Sequence, residues 1–240
     1  MIRRSPRALQ GILAAISLTI AVPCLADPAP AQPDSVSAAA PADEAAQATS
    51  DPPLPETQAT PIVDALHVAL LDVMQRSEEL GYQGRYDRLA PVMIELFDLA
   101  FMAQKSVGRH WKTASPEDQA ILVDTFTRYT IANYAGRFSS YGGQHFETLR
   151  EEPSARGTLL VRTRLVDPEG ADDVNLDYRL RSPDGKWKII DIYLNGTVSE
   201  LALRRSEYSS MIKREGFQAL LSALDERIEE LAVAPADQAS

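Results

Sequence analysis

Asp191 stands inside an apolar stretch, Lys186-Trp-Lys-Ile-Ile-Asp-Ile-Tyr-Leu194. A carboxylate among such neighbours costs free energy unless it is paired or reaches water. Three roles suit it. It could act as a base in a pocket, with Tyr178 or His145 as partner. It could sit on the rim of a cavity. It could also be an anchor, accepting backbone N–H groups or pairing with an arginine such as Arg204 or Arg205. A lone acid with no partner at a telling spacing is a weak catalytic signal, so the anchor reading is preferred. Other chemistry is sparse. The chain has no G-x-S-x-G, no Gly-rich phosphate loop and no H-E-x-x-H. His67, His110 and His145 lie far apart and share no ligand spacing. The only cysteine is Cys24. The residues therefore point to no metal, no cofactor and no thiolate nucleophile.

The elements that must position Asp191 can be read around it. Residues 187–194 have strand composition. The strand stops at Asn195-Gly196, and a helix is expected over 198–214. Thr197 is its expected cap, and Glu200 three residues on completes a capping box. Further strands are expected over 144–151, 158–166 and 174–181. In the last of these Val174, Leu176, Tyr178 and Leu180 alternate with Asn175, Asp177, Arg179 and Arg181, as in an antiparallel sheet with one wet face. Asp167-Pro-Glu-Gly170 and Ser182-Pro-Asp-Gly185 read as the turns between neighbours.

Helical spacing governs the first half: 62–80 closed by Gly81, then 86–97, 98–107 closed by Gly108, and 116–141 opened by Ser115-Pro116. A last helix is expected over 217–231. The expectation is an α+β fold, with helices packed on one face of a four-stranded antiparallel sheet and an apolar pocket between the two layers.

The N-terminus reads differently. Arg3, Arg4 and Arg7 precede an uncharged, mostly apolar run over 11–22, too short to span a bilayer, and Cys24-Leu25-Ala26 supplies a cleavage site. Residues 1–26 are thus expected to be a secretory signal, cut after Ala26. Acylation of Cys24 is the competing reading, opposed by Pro23. Residues 27–61, rich in Pro and Ala with six acids and no Lys or Arg, are expected to form a disordered leader. The domain is placed at 62–232 and a short tail at 233–240. Removing the three signal arginines takes the net charge from −10 to −13, of which −7 belongs to residues 62–240. Such a charge disfavours nucleic acid and tight docking on anionic lipid.

Three groups of residues, taken in order, resemble a known family. They are Ile94-Glu-Leu-Phe-Asp-Leu99 with Val107-Gly108 and Trp111; Thr125-Phe126-Thr-Arg-Tyr129 with Tyr134, Phe138 and Tyr141; and Trp187, Asp191, Gly196 and Ser199 followed by Glu207-Tyr208, Gly216-Phe217 and Leu220-Leu221. Together they resemble the MlaC family, also called the toluene-tolerance auxiliary family, over about 62–231. In typical members the glycine after the last strand is followed directly by valine or isoleucine and serine. Here Thr197 intervenes, and the stretch looks closer to the hopanoid-associated HpnM branch.

The resemblance implies a soluble periplasmic lipid carrier without covalent chemistry, not an enzyme. It would bind the acyl chains of a phospholipid or a hopanoid-type lipid. It would pass that lipid between an outer-membrane lipoprotein–porin complex and an inner-membrane ABC transporter, touching membranes only transiently. Expected pocket residues are Leu159, Val161, Leu176, Tyr178, Ile190 and Ile192 from strands. Phe97, Phe101, Tyr134, Phe138, Val198, Leu201 and Ile212 are expected from helices. Asp191 and Gly196 are expected to fix the strand-to-helix corner. Two other readings stay open: a pocket enzyme using Asp191 and a tyrosine, and an adaptor that binds only protein.

Overall fold

The computed structural model describes residues 59–168 and 173–233. The expected signal, nearly all of the expected leader and the end of the tail lie outside the described residues.

Among the described residues, six α-helices and five strands follow in order: α1 (Thr60–Gln75), α2 (Ser77–Leu96), α3 (Leu99–Ser106), α4 (Pro116–Arg137), β1 (His145–Ser154), β2 (Thr158–Val166), β3 (Val174–Arg181), β4 (Lys188–Leu194), β5 (Val198–Ser199), α5 (Glu200–Glu215) and α6 (Phe217–Val233). The strands form one antiparallel sheet in sequence order, so each strand pairs with its neighbours in the chain. The fold is α+β. The expected four strands gain a two-residue fifth, because Val198 and Ser199 pair with Leu194 and Tyr193 before the helix begins.

Several helix boundaries differ from the sequence reading for identifiable reasons. The first long element breaks at Arg76, and Gly81 breaks it again with φ of 58°, a conformation glycine adopts without penalty. Pro61, assigned to the leader, stands in the first turn of α1. Ser115 caps α4 as expected, its hydroxyl accepting from the Asp118 N–H at 3.1 Å. That helix ends at Arg137, before Tyr141. Thr197 is not the cap of α5. Ser199 is, accepting from the Ala202 N–H at 2.9 Å. The cap of α1, by contrast, is not local. Glu151 on β1 accepts from the N–H groups of Ala59 and Thr60, at 3.0 and 2.8 Å.

The sheet has two unlike faces. Val161, Leu165, Tyr178, Leu180 and Ile189 point toward the helices and are fully buried. The other face carries ion pairs such as Arg162 with Asp177 and Arg164 with Glu147. Helices α1, α2, α3 and α5 touch β4 from the apolar side. The core therefore lies between the apolar face of the sheet and the helices packed on it.

Candidate functional site

The corner around Asp191 is built from hydrogen bonds. One carboxylate oxygen accepts from the N–H groups of Ile192 at 2.9 Å and Leu201 at 3.1 Å. The other accepts from the Ser199 hydroxyl at 2.6 Å. The group thus ties β4 to β5 and to the first turn of α5, where the helix dipole favours a negative charge. Burial raises its pKa, and these hydrogen bonds oppose that shift only in part. Neither candidate catalytic partner is beside it. Tyr178 pairs in register with Ile192 and points to the opposite face, where its hydroxyl meets His67 Nε2 at 3.2 Å. His145 lies on β1, 3.5 Å from Glu147. The tyrosine near Asp191 is Tyr193, half-buried beneath the Arg179 guanidinium; burial and Asp191 both raise its pKa. Gly196, at φ of 72°, turns the chain at this corner close to Asp177 and Arg162.

The expected pocket residues divide by position. Phe97, Tyr134, Phe138, Val161, Leu176, Tyr178 and Ile192 belong to one buried cluster, and Leu159, Leu201 and Ile212 pack against it half-buried. Ile190 is buried but stands outside that cluster, where Ile189 takes its place. The cause is a bulge. Register shifts between Arg179 and Leu180, so Leu180 faces Ile189 while Tyr178 faces Ile192. Simple alternation along β4 cannot foresee that. Val198 is 47% exposed, because it stays extended in β5 instead of entering the helix. Phe101 is half-buried, with the Arg181 guanidinium 3.9 Å from its ring centre.

Between the sheet and the helices the aromatic groups form two sets. Tyr134 meets Phe97 edge-on at 5.9 Å and stacks with Phe138 at 5.6 Å. His67 stacks on Phe146 at 3.9 Å, and burial lowers its pKa to about 3, so the ring is neutral. A void bounded by Phe97, Tyr134, Ile192 and Leu201 measures only about 10 Å³, room for one water at most. A larger cleft of about 590 Å³ opens between the β3–β4 turn and the corner joining α2 to α3.

The sequence reading missed a polar group facing that small void. Arg204 donates to Glu200 at 2.8 Å, and Arg137 lies 3.7 Å from the same carboxylate oxygen. Burial alone would raise the Glu200 pKa, but the two guanidinium charges outweigh it and hold it below the usual range. Arg204 also lies 5.0 Å from the Tyr129 ring centre. The sequence pattern puts Glu200 in a capping box and offers Arg204 or Arg205 as a partner for Asp191. The i, i+4 spacing of Glu200 and Arg204 was the available signal that they pair with each other.

The model of the MlaC protein family matches residues 65–226. Among solved structures, the chain is similar to the phospholipid-binding protein from Ralstonia solanacearum, determined in complex with a phospholipid. The two are 25% identical with a TM-score of 0.64, and the match covers 73% of this chain and 99% of that one. No curated protein matches. The match to the family model spans the helices and every strand from α1 into α6, and the chain belongs to the MlaC family.

Proposed function

We propose that this protein is a periplasmic phospholipid carrier that holds acyl chains between its sheet and its helices. The observation that carries the reading is the likeness, over nearly the whole of the other chain, to a protein solved with a phospholipid. The apolar face of the sheet and the helices over it supply chemistry suited to acyl chains. Each CH₂ removed from water contributes about 0.8 kcal/mol, so two chains can bind tightly without a directed contact. The void of about 10 Å³ means that loading must part the helices from the sheet. Nothing covalent is required of Asp191, which holds a corner.

The finer parts of the reading rest on the sequence. Export follows from the signal over 1–26. Transfer between an outer-membrane lipoprotein–porin complex and an inner-membrane ABC transporter follows from the family resemblance. The inserted Thr197 favours the HpnM branch, and with it a hopanoid-type cargo as the alternative lipid.

Native mass spectrometry of the purified protein, with extraction and identification of lipid, tests this. A co-purifying diacyl phospholipid is the expected result. A hopanoid would keep the mechanism and change the cargo. No bound lipid, and no uptake of added phospholipid, would overturn the carrier reading.

A further inference from the structure

The cleft of about 590 Å³ has an apolar floor and a cationic edge. Ile94, Phe97 and Leu99 form part of the floor, and Ile94 is 56% exposed, high for a large hydrophobic residue. Lys186 and Lys188 line the opposite side, next to the β3–β4 turn. Asp98 and Arg181 also line it but neutralise each other, with Arg181 donating to one Asp98 oxygen at 2.5 and 2.8 Å. Asp184 in the turn is the other carboxylate. Neither lysine is in an ion pair among the described residues. Two such cations beside an apolar floor stand out in a domain of net negative charge.

The cleft also touches the interior. Phe97 is the residue common to the lining of the cleft and of the small void between sheet and helices. It sits at the non-helical corner between α2 and α3, in extended backbone with φ of −101° and ψ of 151°. That corner is pinned to β4 by the Asp98 N–H, which donates to the Ile189 carbonyl at 2.9 Å.

We propose that this cleft is the mouth of the lipid site: a phosphate group docks on Lys186 and Lys188, and the acyl chains pass Phe97, which gates the interior. The inference rests on the carrier reading and adds to it the headgroup chemistry and the route. The ligand class is an anionic phosphate ester with apolar chains. The phosphate supplies charge complementarity at the edge, and the chains match the floor and the space beyond it.

The test loads lipid-stripped protein with phosphatidylglycerol and, separately, with diacylglycerol of the same chains, and reads affinity and uptake rate. Charge reversal by K186E/K188E is expected to weaken phosphatidylglycerol binding about tenfold and to leave diacylglycerol binding within twofold. Phe97→Trp, which keeps the core filled, is expected to slow uptake of both lipids severalfold. Unchanged phosphatidylglycerol affinity in the charge-reversed protein would overturn the mouth while leaving the carrier reading intact. An unchanged uptake rate in Phe97→Trp would overturn the gate. If inorganic phosphate binds the wild type but does not compete with phosphatidylglycerol, the cleft is an anion site unconnected with acyl chains, and the proposal fails. A wild type that takes up neither lipid would sink the carrier reading and this inference together.

Discussion

The two faces of the sheet use opposite chemistry. Toward the helices, Val161, Leu165, Tyr178, Leu180 and Ile189 pack with no polar link between them except the Tyr178–His67 contact. Toward the outside, Arg162 bridges Glu152 and Asp177, Arg164 bridges Glu147 and Asp173, and Arg179 donates to Ser154. Apolar adhesion is non-directional and re-forms after separation. Ion pairs between neighbouring strands are directional and resist a slip in register. The difference separates what holds the strands in register from what packs the helices onto them.

The comparison breaks most severely from the inside. Tyr178→Ala removes a fully buried ring and leaves His67 Nε2 without its partner. It should cost about 3–5 kcal/mol in urea unfolding. A loss below 1 kcal/mol would show that the inner face is slack in the unladen protein.

The next effect is pH-dependent and also belongs to the inner face. Burial takes the His67 pKa from 6.5 down to about 3, so the folded protein refuses a proton that the unfolded chain accepts. Stability from this group is complete above pH 6.5 and is lost as pH falls toward 3. The slope is about 1.4 kcal/mol per pH unit. Between pH 6 and 4 the loss should reach about 2–3 kcal/mol, and His67→Gln should flatten that limb. An equal slope in the variant would assign it to other groups.

The outer face should respond less. Arg162→Ala strands the buried Asp177 carboxylate, which keeps only its weaker bond from the Thr163 N–H at 3.3 Å. A loss of about 1–2 kcal/mol is expected. Smallest is Arg164→Ala, on exposed pairs screened by salt, which should leave the unfolding midpoint at 0.15 M salt within error. If Arg164→Ala matched Arg162→Ala, the outer ladder would act as one network and not as separate pairs.

Much of this frame was legible in the residues. Strand alternation in β2 and β3 shows directly because one face is dry and the other wet, and the side-chain period is two. The Ser115-Pro116 start of α4 was visible because its cap lies three residues from its partner. In β4 the pattern failed, since a bulge brings both Ile189 and Ile192 inward and a run of apolar residues hides the change of parity. The cap of α5 was misplaced from Ser199 to Thr197 because both residue types can cap, and the pairing of β5 with β4 decides between them.

By itself the sequence determined the order of elements, the antiparallel sheet, the alternation of its middle strands and the residues that mark the family. Those depend on neighbours within a few positions along the chain. Only the tertiary structure decided which buried polar group meets which: Glu151 with the start of α1, His67 with Tyr178, and the Asp191 carboxylate with the start of α5. It also decided that Phe97 would border both an outer cleft and the closed interior. A buried donor or acceptor must find a partner wherever the fold brings one within reach. Residues 60 and 151, or 67 and 178, come within reach only after the helices have packed on the sheet.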